Sequence, residues 1–244
     1  VAEIDGGMVP IMTPDPARPD QRCGKQLGWK EAKLCLVHPL GSATPCYGGT
    51  LQGGVDGLGR ELFDCARAAG FGTQTHVQAV GDGAPWIVDQ VGQHFGQQGR
   101  FLVDFYHACA YLAAAAHSAD ADPRAWLERQ KHRLKTQQLD AVLTDLHAHL
   151  EPETVDESEA PVRAALRYFT NRRQHFDYQG ALQQGLPIGS GEIESAHRYV
   201  VQQRLKRPGA WWRIEQAEAM LALRLNRVNG HWEAYWQDLI KQAA

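Results

Sequence analysis

The chain has 244 residues, 43% of them hydrophobic, enough for one large domain or a compact core carrying an insertion. Its longest apolar stretch, 108–116, falls short of the ~18 to 20 residues of a membrane-spanning helix, and its opening lacks the charged region and cleavage motif of a signal peptide. Taken whole, the formal net charge of -3 argues against a DNA-binding protein, yet Arg198, Arg204, Lys206, Arg207 and Arg213 fall in a stretch without acids, whereas 140–159 carries seven acids and no lysine or arginine.

In chain order, 1–12 reads as a strand with Pro10 and Pro14 near its end, 29–38 as a second strand, and 44–51 as a weaker third. A helix is predicted over about 57–69, with Leu58, Leu62, Phe63, Cys65 and Ala66 on one stripe and Gly70 ending it. A short strand over 76–80 runs into Gly81, Asp82 and Gly83; a helix opens at Pro85, and 101–104 is a fifth strand. Helical periodicity then covers 105–117, 124–149, 161–173, 192–206 and 212–244, with the acidic stretch 151–159 as the candidate exposed loop. Strands first and helices afterwards indicate an α+β or α/β core with a helical addition. The cysteines at 23, 35, 46, 65 and 109 are odd in number and lack Cys-x-x-Cys spacing, so free buried thiols in a reducing cytoplasm are expected. A start inside a strand, without Met, reads as a fragment whose N-terminal part, including any DNA-recognition segment, is absent.

Three carboxylates stand out by context. Asp5 lies mid-strand beside two glycines, where an acid is disfavoured unless it has a partner. Asp82 lies between two glycines where a strand stops, a position that exposes a side chain at the end of a sheet. Glu194 lies in the first turn of a helix that follows Gly189, Ser190 and Gly191. Taken singly, each is read as readily as a turn, cap or helix-dipole acid. Taken together, they would repel unless a cation neutralised them, and a pair of Mg²⁺ ions on such acids suits phosphodiester chemistry.

The segments Val-Gly-Asp-Gly-Ala-Pro-Trp-Ile (80–87), Asp-Phe-Tyr-His-Ala (104–108) and Pro-Ile-Gly-Ser-Gly-Glu-Ile-Glu-Ser-Ala (187–196) resemble bacterial insertion-sequence transposases of the DDE class, as does the opening Ile-Asp-Gly-Gly-Met-Val-Pro (4–10). The resemblance covers nearly the whole chain. It implies a ribonuclease-H-like mixed five-stranded sheet with flanking helices and an all-helical insertion before the last catalytic Glu. The core would span 1–108 and 186–244, with the insertion at 109–185. By the same resemblance Asp5, Asp82 and Glu194 are the catalytic, metal-binding acids for Mg²⁺ or Mn²⁺, two ions in all, and Asp104 and His107 are similar to the Asp-x-x-His signature of Mutator-like relatives.

Glu192 competes with Glu194, but two residues on a helix are ~200° apart, so one metal cannot use both. The resemblance favours Glu194, which leaves Glu192 to complement the helix dipole and Ser190 as a plausible cap. His197 and Arg198 share the face of Glu194, with roles at a phosphate or metal-bound water, or in a salt bridge. His107 opens a helix and is expected to be buried on a backbone carbonyl in a structural role. The basic run with Trp211 and Trp212 could contact phosphates and unpaired bases, or the tryptophans could be core anchors. The function expected is a DNA transposase that cleaves element ends and transfers strands. It would work as a homodimer or higher oligomer on double-stranded DNA, in the cytoplasm at the nucleoid. A structure-selective nuclease on the same fold and a catalytically inactive DNA-binding descendant remain as alternatives. The spacing in Gly53 to Arg60 lacks the third glycine of a dinucleotide-binding turn.

Overall fold

The computed structural model describes residues 1–18 and 24–243, so Cys23 lies outside the described residues. Strands β1 (Ala2–Pro14) and β2 (Lys25–Val37) form a long antiparallel hairpin, in register from Ala2 opposite Val37 to Pro14 opposite Lys25. Strand β3 (Cys46–Thr50) pairs antiparallel with β2. With β4 (Val77–Gly81) and β5 (Gly99–Val103) these make a mixed five-stranded sheet in the order β3-β2-β1-β4-β5, flanked by helices. The chain divides into two compact units. Unit 1 comprises Val1–Val77, Asp89–Gly99 and Gly191–Ala244; unit 2 comprises Gln78–Val88 and Arg100–Ser190.

In unit 1 the side-chain period of two along a strand sets Asp5, Gly7, Val9 and Ile11 on the same face as their opposite neighbours Leu34, Ala32, Lys30 and Gly28. That face is covered by a helical segment made of α8 (Gly191–Ala196), a π turn (His197–Gln202) and α9 (Gln203–Leu205), and by α10 (Ile214–Val228). Ile193, Ala196, Val200, Val201, Leu205 and Leu221 from these helices join Val9, Ile11, Ala32 and Leu34 in one core cluster. Each large apolar side chain buried there contributes about 1.5 to 3 kcal/mol. At the other edge, Asn229 mimics a strand: its Oδ1 accepts from the Tyr47 amide and its Nδ2 donates to the Tyr47 carbonyl, both at 2.8 Å. Helix α1 (Gly54–Ala68) is entered through a loop whose Leu51 and Gln52 amides donate to Glu218. The final helix is α11 (Trp232–Ala243).

In unit 2, α3 (Phe105–Ala119), α4 (Pro123–Lys135), α5 (Leu139–Ala148), α6 (Pro161–Asn171) and α7 (Tyr178–Gln183) surround buried Trp126, Leu112, Leu134, Phe169 and Tyr178. Helix α2 (Pro85–Phe95) begins in unit 2. Unit 2 includes the Asp82 turn and most of β5.

Several expectations differ from the structure for identifiable reasons. The predicted helix 124–149 is two helices, broken where Gln137 takes a left-handed φ of 58°. The predicted helix 192–206 is interrupted by the π turn, which the apolar period does not report. Strand β2 starts before 29 because hairpin pairing, rather than alternation, holds Lys25 to Gly28. Helix α7 was too short to register as a period. The segment 151–159 is largely exposed, although Glu151 caps α6 by accepting from the Val162 and Arg163 amides. Cys35, Cys46, Cys65 and Cys109 are free thiols, Cys46 being only partly buried. No helix among the described residues is long and apolar enough to cross a membrane.

Candidate active site

The start of α8 is fixed by an acid that sequence reasoning missed. Glu3, only 2% exposed in β1, accepts from the Ile193 amide at 2.8 Å and so ties the helix to the strand that carries Asp5. Its signal was present: Glu3 and Asp5 are two apart on a strand and therefore share a face. Ser190 does not supply a hydroxyl cap. Its hydroxyl donates instead to Asp104 Oδ2 at 2.6 Å.

Asp5 and Glu194 are brought together in unit 1. They line an open cleft of about 430 Å³ whose wall also carries Gly7, His197, Arg198 and Lys206. A π turn is rare in helices and frequent at functional sites; here it supplies His197, Arg198, Val201 and Gln202 to the cleft wall. His197 is 4% exposed, and its Nε2, 3.5 Å from Asp5 Oδ2, makes no hydrogen bond. Burial pushes the His197 imidazole below its ordinary pKa, against the opposing pull of the Asp5 carboxylate and of a hydrogen bond to the Asp5 backbone. The ring fits because residue 7 is glycine: a Cβ there would stand 2.8 Å from His197 Nδ1. Glu192 faces elsewhere, its carboxylate 3.5 Å from Nε2 of buried His38.

Asp82 belongs to unit 2, where it forms a turn held from several sides. Its Oδ1 accepts from the Ala84 amide at 2.8 Å. The Tyr168 hydroxyl donates to the Asp82 carbonyl at 2.9 Å, and Arg172 Nε donates to the Gly83 carbonyl at 2.7 Å. Gly83 has a φ of 87°, and a Cβ there would lie 2.5 Å from Arg172 Nε. The guanidinium of Arg172 lies over the Tyr168 ring at 4.2 Å, and that ring stacks on Tyr111 with centroids 3.9 Å apart. Tyr168 and Arg172 stand four apart on and just beyond α6, a helical spacing that could have suggested a shared face but not its target.

Asp104 is a structural acid. It is 3% exposed, and its two oxygens accept from the His107 amide at 2.7 Å and from the Ser190 amide and hydroxyl at 2.5 and 2.6 Å. With those donors it caps α3 and holds the loop that leads to α8, rather than presenting a vacant carboxylate. His107, expected to be buried on a carbonyl, is exposed. Its ring lies beside Tyr111 and Tyr168, with centroids at 5.7 and 5.9 Å, because the first turn of α3 points that position outward.

Of the cationic and aromatic run, Arg204, Lys206, Arg207, Trp211 and Arg213 are exposed. Trp212 is half-buried under Arg204, whose guanidinium lies 4.9 Å from the ring centroid, and its backbone pairs with β1. Among the described residues, no group of three or more His, Cys, Asp or Glu side chains is gathered so as to hold a metal ion.

A family profile matches residues 72–237, more than half the chain. The chain belongs to UPF0236, an uncharacterised protein family. The UPF0236 match takes in Asp82, Asp104, His107, Glu194 and the π turn, and it begins downstream of Asp5 and of the β1–β2 hairpin. No curated protein and no solved structure matches this UPF0236 chain.

Proposed function

We propose that this chain is the catalytic domain of a DNA transposase of ribonuclease-H-like fold, which hydrolyses phosphodiesters at element ends and transfers the freed ends into target DNA. The observation that carries the reading is the unit 1 cleft, where two acids far apart in sequence, Asp5 and Glu194, share a wall with Arg198 and Lys206. The strand order, with β1 beside β4, supports the same reading.

The donor set fits Mg²⁺ or Mn²⁺. Mg²⁺ keeps several waters and takes one or two carboxylates together with substrate phosphates, so a pair of hard oxygen donors in an open cleft suits it better than a closed cage would. Asp5 and Glu194 would hold the ion. A bound divalent ion supplies Lewis-acid polarisation of a phosphoryl oxygen and lowers the pKa of a coordinated water.

The remaining residues act on the acids and on the phosphate. His197, whose charged form is disfavoured by its burial, faces Asp5 with its Nε2 3.5 Å from Oδ2. Gly7 admits that ring. Glu3 sets the start of the helix from which Glu194 projects. Arg198 and Lys206 offer positive charge to a phosphate entering the cleft, which places the scissile group against the acids by electrostatic attraction.

The test is a Mn²⁺ and Mg²⁺ titration followed by thermal unfolding, paired with a strand-cleavage assay on candidate element ends. The wild-type chain is expected to gain stability with metal and to cleave, and Asp5→Asn and Glu194→Gln are each expected to lose both responses. Metal stabilisation that persists unchanged in the Asp5→Asn, Glu194→Gln double variant would remove the proposal.

A further inference from the structure

We propose that Trp29 and Trp211 form a platform on which unpaired bases of single-stranded DNA stack; the choice of DNA rests on the function proposed above. Large aromatic side chains are normally withdrawn from water, yet Trp29 is 58% exposed and Trp211 38% exposed, with ring centroids 6.0 Å apart and planes inclined at 60°. Both rings are mounted on rigid backbone. Trp29 sits opposite Pro10 in the β1–β2 register. Trp211 precedes Trp212, whose amide donates to the Pro10 carbonyl at 3.2 Å and whose carbonyl accepts from the Met12 amide at 2.8 Å. One residue of β1 therefore anchors both supports, and little conformational entropy is lost when a ligand lands on the rings.

Charge identifies the ligand. Exposed Lys25 shares the face of Trp29 on β2, and Lys206, Arg207 and Arg213 flank Trp211, with no acid in 25–30 or 198–213. A protein interface core is depleted of lysine, whereas aromatic rings interleaved with cations are how proteins bind single-stranded nucleic acid without reading its sequence. The inclination of the rings suits bases splayed apart, because bases inside a duplex already stack on one another. Trp212 is outside the platform: one face of its ring is taken by Arg204. Lys206 also lines the acidic cleft, so a strand on the platform would lead toward Asp5 and Glu194.

The experiment is a tryptophan-fluorescence titration of the full chain, without divalent metal, using an oligothymidylate of about 15 nucleotides, near the upper end of single-strand site sizes, and a duplex of equal length. Quenching by the single strand, weaker with rising salt, is expected, with Trp29→Ala and Trp211→Ala each weakening binding about tenfold or more. Both positions are exposed, and thermal unfolding confirms that the variants fold. Absence of quenching, or equal binding by the double variant, overturns the platform. So does a wild-type dimer that the double variant dissolves while neither binds the oligonucleotide, which would assign the patch to a second copy of the chain. Asp5→Asn is expected to keep full oligonucleotide binding. Absence of any metal response in the wild-type chain, with oligonucleotide binding intact, would sink the catalytic reading alone.

Discussion

In unit 1 the acid at residue 5 lies within a strand, so its backbone is fixed by the sheet and what needs control is its side chain. That control comes from outside the strand, through a buried histidine on a π turn that fits only because residue 7 has no side chain. In unit 2 the acid at residue 82 lies on a turn, where the backbone itself needs holding. There the supporting groups address main-chain carbonyls, Tyr168 at residue 82 and Arg172 at residue 83, and the carboxylate is committed to its own turn through Ala84. A strand acid is positioned by what packs on it, and a turn acid by what clamps its peptide groups. The helical part of unit 2 is thus more than packing material, since α6 reaches the turn directly.

The largest effect that would sharpen this contrast is expected from Asp104→Ala. Three donors, two of them from Ser190, would lose a buried acceptor, and each such hydrogen bond contributes about 0.5 to 1.5 kcal/mol, with a further cost of about 1 to 3 kcal/mol for each buried donor left unpaired. A loss of about 3 kcal/mol or more is expected in urea unfolding. A loss below about 1 kcal/mol would mean that the loop before α8 is held by something other than this cap.

Gly7→Val comes next. The added branch would meet the His197 ring, and overpacking of this kind costs about 1 to 3 kcal/mol. The comparison predicts a specific companion effect: Gly7→Val should weaken any metal response that depends on Asp5 while leaving the Tyr168 environment unchanged, as read by near-UV circular dichroism of a Gly7→Val, Tyr168→Phe pair. Additive stability losses in that pair would mark the two supports as independent, and strong coupling would mean that the two acids share one support.

What could be read from the sequence follows the same line. Asp5 and Asp82 were conspicuous because each sits beside glycines, which mark places where backbone geometry or close approach matters, and Glu194 because it lies in the first turn of a helix that follows Gly189, Ser190 and Gly191. The mixed sheet and helical remainder followed from period two giving way to period 3.6. The supports were not legible. Glu3, Tyr168 and Arg172 act on backbone atoms distant in the chain, and a hydrogen bond to a main-chain carbonyl leaves no pattern in the sequence that receives it. The π turn was invisible for a related reason, since one extra residue in a helix displaces the apolar stripe by less than a short segment can reveal. His107 was misplaced because the Asp104 cap spends its acceptor on the residue's amide and leaves the ring free to turn outward.

A smaller loss is expected from Tyr168→Phe, which deletes a single hydroxyl donor to the Asp82 carbonyl and keeps the stacked ring. About 1 kcal/mol is the usual scale for such a bond. Stability alone would not distinguish this from ordinary trimming, so the informative readout is hydrogen exchange at the amides of residues 82 to 84. Faster exchange there, without change in β1, is what a backbone clamp predicts.

The smallest effect concerns pH and again separates the units. His175, just past the residue that supplies Arg172, packs its ring on Phe101 with centroids 5.4 Å apart. Burial pulls its pKa below the ordinary 6.5; a hydrogen bond with the Phe101 backbone opposes that shift and the Arg172 charge adds to it. A histidine with a lowered folded-state pKa takes up protons more readily when unfolded, so its contribution is complete above 6.5 and is lost as pH falls from 6.5 through the folded value. Acidification should therefore loosen the end of α6 that carries the clamp on Asp82. Urea unfolding across about pH 5 to 8 should show stability declining on the acid side, and the decline should flatten in His175→Gln. If the variant declines as steeply as the wild type, the acid sensitivity resides in other groups and the clamp in unit 2 is indifferent to pH.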